Sequence, residues 1–417
     1  MKFIIQFILK LISKLILKKY KPDVIGITGS VGKTSTKLAI ETVLADEFKV
    51  RASPKNYNTE TGVPLTIINQ ENPGRSMLGW LKVFLQGLKS IILTDKNYPK
   101  ILILEMAADH PGDIQYLVNF TKPKIGVLTS VGASHLEFFG TIENVVQEKS
   151  NMVLNLPKQS YAVINNDQQF LGELAKKVKA KLITFGLTQA ELTATDIKIN
   201  QQHGGLNFTL KYNQQTAKAN IPNLLGRPAI YSLLAATAVG LIYNLELTEI
   251  AKKLVYYQPI PGRLNLLPGI KYTQLIDDSY NSSPLAANAA LEVLLHLKCT
   301  GAKYAVLGDM LELGEQTMPA HQELGQEVAR LEIDYLITVG SAAKEIANAA
   351  REYGMNPDRI FSFDNSVEAG KFIQDKMVEG DLILIKGSAA MAMEKITKEI
   401  MAQPEKAGEL LVRQEGD

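Results

Sequence analysis

The sequence predicts an α/β protein built from two sheet domains, and three observations predict it. Short apolar runs of strand length at residues 24–27, 101–104, 125–128 and 161–164 alternate with helix-like stretches, the pattern of a parallel sheet covered by helices. A glycine-rich turn joins the first run to a helix-prone stretch over residues 33–44. A second series of apolar runs, at 273–277, 304–307, 335–339 and 381–385, follows a break at Pro259, Pro261 and Gly262. The chain length of 417 residues suits two or three domains at roughly 150 residues each.

Composition narrows the classes. At 46% hydrophobic and 21% charged residues, the chain can bury sizeable cores, which excludes wholesale disorder. A formal net charge of +2 gives no global attraction to nucleic acid, and none is expected as a partner. Cys299 is the single cysteine, so neither an intramolecular disulfide nor a cysteine-built metal site can form.

Residues 1–21 carry six lysines, and no acid occurs before Asp23. On a helix, Phe3, Ile4, Phe7, Ile8, Leu11, Ile12, Leu15 and Ile16 fill one side. Lys2, Gln6, Lys10, Ser13, Lys14, Lys18 and Lys21 take the other. The lysines interrupt the apolar run too often for a spanning helix, and no small-residue cleavage site follows as in a signal peptide. Two readings stay open. The helix lies in a membrane interface, or it docks its apolar side on the body of the protein.

Further along, residues 76–93 form another amphipathic helix, carrying the single tryptophan, Trp80. Residues 182–221 read as short β segments with turns at 203–205 and 212–214, an insertion or an extension of the sheet. Helical stretches at 231–243 and 248–254 precede the break near Pro259. The expected domains are therefore a basic amphipathic helix over 1–21, a central domain over 22–258 and a C-terminal domain over 259–417.

The turn after the first strand reads Gly-Ile-Thr-Gly-Ser-Val-Gly-Lys-Thr over residues 26–34. Glycines let backbone N–H groups turn toward phosphate oxygens, and a helix N-terminus adds positive potential. Lys33 can neutralise the β- and γ-phosphates, and the Thr34 hydroxyl can ligate Mg²⁺. Gly29, Ser30, Gly32, Lys33, Thr34 and Ser35 are the expected ATP-binding residues. The strict P-loop pattern fails at one position, where Ile27 stands in place of glycine.

Residues 28–34 match the form T-G-[TS]-x-G-K-[TS], and with them the sequence resembles the Mur ligase superfamily from Val24 onward. It is most similar to the branch that adds D-alanyl-D-alanine to UDP-N-acetylmuramoyl-tripeptide. Further motifs in the expected order are Asn-Tyr-Asn-Thr-Glu-Thr-Gly-Val-Pro-Leu at 56–65, Asp-Asp-Ser-Tyr-Asn-Ser-Ser-Pro at 277–284, Gly-Asp-Met-Leu-Glu-Leu-Gly at 308–314 and Lys-Gly-Ser at 386–388. The resemblance implies a P-loop central ATPase domain and a C-terminal Rossmann-like α/β domain.

Taken singly, Glu105 at a strand end, His135 in a loop and Lys149 in a helix each read as ordinary polar residues. The resemblance implies instead that Glu105 and His135, with Thr34, hold Mg²⁺, and that Lys149 carries a carbamate formed with CO₂. A carbamate turns an ammonium into an anionic oxygen ligand suited to a hard cation. Lys33, His135 and Lys149 are thereby the expected catalytic residues, Arg263 and Asn281 join the ATP site, and Asn56, Asn58 and Lys386 face the substrates. Asp277 and Tyr280 fall in the nucleotide-contacting loop, while Asp309 and His321 match family positions without a specific step.

Three departures stand against the pattern. Ala229 and Ser232 replace the two asparagines with which the family contacts adenine. Ala389 replaces the arginine expected after Lys-Gly-Ser, a guanidinium that would pair a carboxylate. Only residues 1–22 precede the phosphate-loop strand, so the family's N-terminal UDP-sugar domain is not represented. The resemblance implies an ATP-dependent amide ligase of peptidoglycan precursor synthesis, cytoplasmic or peripheral at the inner face of the plasma membrane. It works through an acyl phosphate on a muramoyl-peptide-like acceptor, with an amino acid or dipeptide as amine. The alternatives are a ligase for a different acceptor, including a lipid-linked one, and a nucleotide-binding scaffold with weakened catalysis.

Overall fold

A computed structural model describes residues 2–54, 57–133, 136–200, 205–222 and 224–412. The chain opens with α1 (Lys2–Tyr20), then β1 (Asp23–Thr28), α2 (Lys33–Leu44), β2 (Val50–Ala52), α3 (Gly62–Ile68) and α4 (Met77–Ile92). It continues through β3 (Ile101–Glu105), α5 (Asp113–Thr121), β4 (Ile125–Leu128), α6 (Leu136–Phe139), α7 (Ile142–Leu154), β5 (Tyr161–Asn165) and α8 (Gln169–Ala175). The strands β6 (Lys181–Gly186), β7 (Leu192–Ile199), β8 (Leu206–Tyr212) and β9 (Gln215–Ile221) follow, and α9 (Arg227–Ile242) and α10 (Leu247–Leu254) close this half.

These strands form one nine-stranded sheet in the order β2-β3-β1-β4-β5-β6-β7-β8-β9. From β2 to β7 every pairing is parallel. β1, β3 and β4 are buried almost throughout, because helices cover both faces and a parallel strand then needs apolar side chains on both. β7, β8 and β9 pair antiparallel and alternate buried with exposed residues, so the 182–221 segment extends the sheet. One face packs against α2, α9 and α10. The other packs against α3, α5, α7 and α8, with α1 and α4 outermost.

The second half contains β10 (Asn265–Pro268), β11 (Gln274–Asp278), α11 (Pro284–His296), β12 (Lys303–Gly308), α12 (Thr317–Arg330), β13 (Tyr335–Val339), α13 (Lys344–Glu352), β14 (Ile360–Phe363), α14 (Ser366–Lys376), β15 (Leu382–Lys386) and α15 (Glu394–Ile400). Its sheet order is β10-β11-β15-β12-β13-β14, parallel except for β10. Helices α11 to α13 cover one face, and α14 and α15 the other. Leu225, from the connection after β9, is buried in the core of this second half.

The N-terminal helix divides its apolar side between two environments. Leu9, Ile12 and Ile16 are buried among α3, α4 and α5. Gly87 of α4 lets the two helices approach, since a Cβ there would stand 2.6 Å from Ile12 Cγ2. Lys19 Nζ donates to the carbonyls of Ser90, Ile91 and Leu93 at 3.1, 2.9 and 2.6 Å, satisfying acceptors that the end of α4 leaves open. Phe3, Ile4, Phe7, Leu11 and Leu15 remain in solvent. Among the described residues no helix is long and apolar enough to cross a membrane.

Candidate active site

The site is assembled at the C-terminal ends of β1, β3 and β4, where parallel sheets leave a crevice for ligands. β1 delivers the phosphate loop. Gly32 caps α2 at φ +87°, and Gly29 has φ +152° with its Cα against the Thr129 hydroxyl, which a Cβ would overlap. The loop is clamped to the segment after β4. Ser30 N donates to the Ser130 carbonyl at 2.7 Å, the Ser30 hydroxyl donates to Gly132 O at 2.9 Å, and the Thr129 hydroxyl donates to Val31 O at 2.7 Å. Lys33 Nζ curls back onto Gly29 O at 2.7 Å and Ser30 O at 3.4 Å. Burial lowers its pKa, with Glu105 opposing and Arg263 assisting that shift. Thr34 and Ser35 follow in the first turn of α2, which carries no acid, so its free N–H groups favour an anion.

β3 delivers Glu105, buried at its end. Asn58 Nδ2 donates to Glu105 Oε1 at 3.2 Å. Glu105 Oε2 is buried with no hydrogen-bond partner, and the Lys37 ammonium stands 3.6 Å from it. Lys37, one helical turn after Lys33, also donates to Ser53 O at 2.7 Å. The sequence reading missed Lys37, which on a helix resembles any solvated lysine. The signal was its place four residues after Lys33, on the same face.

Lys149, on α7, is among the largest fully buried side chains. Burial, and then the neighbouring Lys33 charge, push its pKa down to about 7, against smaller opposing effects of Asp109 and Glu148. Near neutral pH a large share of this amine is therefore uncharged and nucleophilic. Asp109 is exposed and acts electrostatically on both Lys33 and Lys149. His135 and Asn56 lie outside the described residues.

The second half brings Arg263 to this cluster, where its charge depresses the pKa of Lys33 and Lys37. The guanidinium lies over the Tyr280 ring, 4.1 Å from its centroid, and its buried Nε has no hydrogen-bond partner. Gly262, at φ +72°, permits the turn in which Tyr280 N donates to Gly262 O at 3.0 Å. Lys386 is buried in an ion pair with Asp278 at 2.6 Å and donates to Asn281 O at 2.9 Å. Asn281 Oδ1 accepts from Ala389 N at 3.4 Å. These contacts make Lys386 the pin of the 277–281 loop. Asp277 is buried, and desolvation pushes its pKa up to about 6. Asp309 and His321 are likewise engaged inside the fold. Asp309 Oδ1 accepts from Ala343 N at 2.7 Å, and His321 Nε2 accepts from Met310 N at 2.9 Å.

The departures have structural addresses. Ser232, in the first turns of α9, reaches Gly32 O at 3.5 Å and so touches the phosphate loop. Tyr257 is buried just before the break, and burial raises its pKa, with Ser35 and the Arg263 charge opposing. The halves meet beside the site, where Leu285 lies against Gly132 and Glu137 N donates to Glu312 O at 3.4 Å.

The residues present suit a hard divalent cation. A buried carboxylate oxygen without a hydrogen-bond donor is a ready ligand, and the threonine hydroxyl and a carbamate would add oxygen. Among the described residues no group of three His, Cys, Asp or Glu converges to hold a metal, and His135 lies outside them.

Comparison with known proteins agrees with this geometry. Residues 27–78 and 85–240 match the Mur ligase middle domain, and residues 262–389 match the Mur ligase, glutamate ligase domain. A UDP-N-acetylmuramoyl-tripeptide–D-alanyl-D-alanine ligase of Bacillus subtilis is 29% identical over 396 residues, covering 95% of this chain and 79% of that protein. The MurF ligase of Thermotoga maritima, solved in complex with ADP, superposes with a TM-score of 0.79 at 26% identity, covering 95% of this chain and 83% of that one. The folylpolyglutamate synthase of Mycobacterium tuberculosis shares the fold, with a TM-score of 0.65 at 17% identity over 94% of this chain and 95% of that one.

Proposed function

Because the chain belongs to the Mur ligase family, we propose that it joins D-alanyl-D-alanine to a muramoyl-tripeptide acceptor in peptidoglycan precursor synthesis. It is an ATP-dependent ligase that forms a C–N bond. The observation that carries the chemistry is the convergence of Lys33, the half-satisfied Glu105 and the buried Lys149 amine at one sheet end. The acceptor identity rests on the 56–65 motif and on the names of the relatives.

The acceptor carboxylate attacks the γ-phosphorus of ATP, the bond to the bridging oxygen breaks, and ADP leaves. The amine of D-alanyl-D-alanine then attacks the acyl carbon, phosphate departs, and the amine proton is lost to give the amide. Lys33 exchanges its carbonyl partners for phosphate oxygens and stabilises charge on the transferring group. The α2 N-terminus and the loop N–H groups hold the remaining phosphates. Arg263, fixed on Tyr280, offers forked donors from the second half, so closure of the halves would complete the site and exclude water that hydrolyses an acyl phosphate. Asn58 orients Glu105 and sits where the acceptor enters. Asn281 and Lys386 hold the facing loop in shape.

Mg²⁺, held by Thr34, Glu105, His135 and a carbamylated Lys149, would supply neutralising charge for phosphoryl transfer. The depressed Lys149 pKa supports the carbamate, because only a neutral amine adds CO₂. With carbon-13 bicarbonate, wild-type protein should show a carbamate resonance that Lys149→Met lacks. A spectrum without it would remove this ligand. The reaction is tested by product formation from ATP, UDP-linked muramoyl-tripeptide and D-alanyl-D-alanine. ADP and amide should appear in equal amounts, and only with both substrates present. ATP turnover indifferent to the amine would overturn the assignment.

A second reading is a lipid-linked acceptor in place of the UDP-linked one, favoured by the apolar row that α1 leaves in solvent. We also read residues 1–21 as a peripheral contact with the membrane surface, supported by their uniformly positive charge.

A further inference from the structure

The exposed face of α1 is one half of a larger surface. α4 runs beside α1 in the same direction, as the Ile12–Gly87 approach and the Lys19 bonds to residues 90–93 require. Its inner side packs Trp80, Val83, Phe84 and Ile91 on the body, yet its outer side is apolar as well. Only Val83 and Gly87 are fully buried along its 16 residues. Leu78, Leu81 and Leu85 stand exposed, Leu78 at 81%, and the neighbouring α1 exposes Phe3, Phe7 and Leu11, with Phe3 at 86%. Two adjacent helices with solvent-facing leucine and phenylalanine rows make an apolar surface far beyond the isolated residues of ordinary protein exteriors.

Charge selects its occupant. Residues 1–22 and 72–94 hold nine of the chain's 45 basic residues and none of its 43 acids. The remainder of the chain is therefore net acidic, and the excess of positive charge belongs to these two segments. Lys14 and Lys18 on α1, and Lys82 and Lys89 on α4, are exposed beside the leucine rows. A second copy of the chain would bring the same lysines face to face with no acid between them, which opposes self-pairing. An anionic bilayer supplies what both features lack, negative headgroups for the lysines and acyl chains for the leucines.

We propose that α1 and α4 together form a preassembled platform that seats the enzyme on an anionic lipid surface. The proposal rests on the peripheral-contact reading of residues 1–21 and deepens it, because half of the binding surface belongs to a helix that begins only at Met77. α1 also rests on α3, and the loop leading into α3 carries Asn58 onto Glu105. The platform thus lies on the same side of the sheet as the acceptor loop. Membrane attachment and acceptor entry are joined through one packed layer, which suits an acceptor present at the bilayer surface.

The test is sedimentation of the full chain with phosphatidylcholine vesicles and with vesicles containing phosphatidylglycerol. Wild type should bind the anionic vesicles, bind the neutral ones weakly, and release as salt is raised. A variant carrying Leu78→Gln, Leu81→Gln and Leu85→Gln, with α1 untouched, should lose about tenfold or more in vesicle affinity. Its melting temperature and solution ATPase activity should stay unchanged, because these side chains touch no core. Lys82→Glu with Lys89→Glu should weaken anionic binding and flatten its salt dependence. If the α4 variants bind like wild type while Phe3→Gln with Phe7→Gln does not, residues 1–21 act alone and the platform is wrong. If the full chain binds no vesicle, both readings fail. If wild type is a dimer that the leucine variant disperses, without vesicle binding, the face is an interface between copies and the proposal is overturned.

Discussion

The two sheets carry their motif residues in opposite states. On the first, the site residues are held short of satisfaction. Glu105 keeps a buried oxygen without a hydrogen bond, Lys33 leans on two backbone carbonyls, and Lys149 is buried as an amine with its pKa down to about 7. On the second, most motif residues satisfy one another. Lys386 pairs with Asp278, Asp309 accepts from Ala343, and His321 accepts from Met310. Buried polar groups cost free energy unless paired, and Glu105, with one oxygen served only by the Lys37 ammonium 3.6 Å away, can still take a ligand. The exceptions among the described residues of the second half are Arg263 Nε, Asp277 Oδ2 and Ser279 Oγ, and Arg263 is the residue whose charge reaches across to the first. Under the proposed function, the difference divides chemistry from scaffolding among residues that one family pattern groups together.

The largest effect should come from breaking the satisfied side. Lys386→Met removes one partner of an ion pair whose side chains are 2% and 12% exposed. Leaving Asp278 buried without its cation should cost about 3–5 kcal/mol of stability in urea unfolding. Adding Asp278→Asn should recover part of that loss. If Lys386→Met instead keeps full stability and loses only activity, the lysine belongs with the chemical residues and the division between the sheets is wrong.

Next comes Lys33→Ala on the first sheet, where the opposite split is expected. Its bonds go to loop carbonyls that solvent can serve, so the melting temperature should hold. kcat should fall about 100-fold or more, as for loss of one donor to a charged transition state. A destabilised but active variant would show Lys33 to be a structural clamp on Gly29 and Ser30.

How far the sequence foretold this arrangement depends on how local each feature is. The strands at 24–27, 101–104 and 125–128 were readable because an apolar run between turns has few other fates in an α/β chain, and the phosphate loop was readable because its spacing is contiguous. The extension by β7–β9 showed in its alternating pattern. The Lys386–Asp278 pair was not readable, since 108 residues separate the partners and only the parallel pairing of β11 with β15 brings them together. Lys37 was hidden for a different reason. A lysine on a helix gives no sign of which face is buried until the neighbouring strand places Glu105 against it. For α1 and α4, periodicity revealed two amphipathic helices, yet the packing at Gly87 decided which sides would be covered. The open choice for α1 ended in a division. One part of its apolar arc is core, and the other faces solvent.

The most gradual expected effect, at most about 1.4 kcal/mol per pH unit, is also the finest probe of the contrast, because it measures how far burial disfavours the Lys149 charge. Its pKa falls from 10.5 to about 7 on folding. Between those values the unfolded chain holds a proton that the folded chain has released, so wild-type stability should rise with pH across that window. Below pH 7 both states are protonated, and the burial penalty is constant and largest. Lys149→Met keeps the volume and removes the charge. In CO₂-free buffer it should therefore be more stable than wild type, by an amount that is level below pH 7. Above pH 7 its advantage should shrink by up to about 1.4 kcal/mol per pH unit. Urea unfolding of the two proteins across pH, compared as a difference, isolates this group from every other titration. A difference that stays flat through pH 9 would mean that Lys149 keeps an ordinary ammonium when folded. It would then lack the neutral amine on which carbamate formation depends, and the first sheet would lose its clearest mark of a site awaiting a ligand.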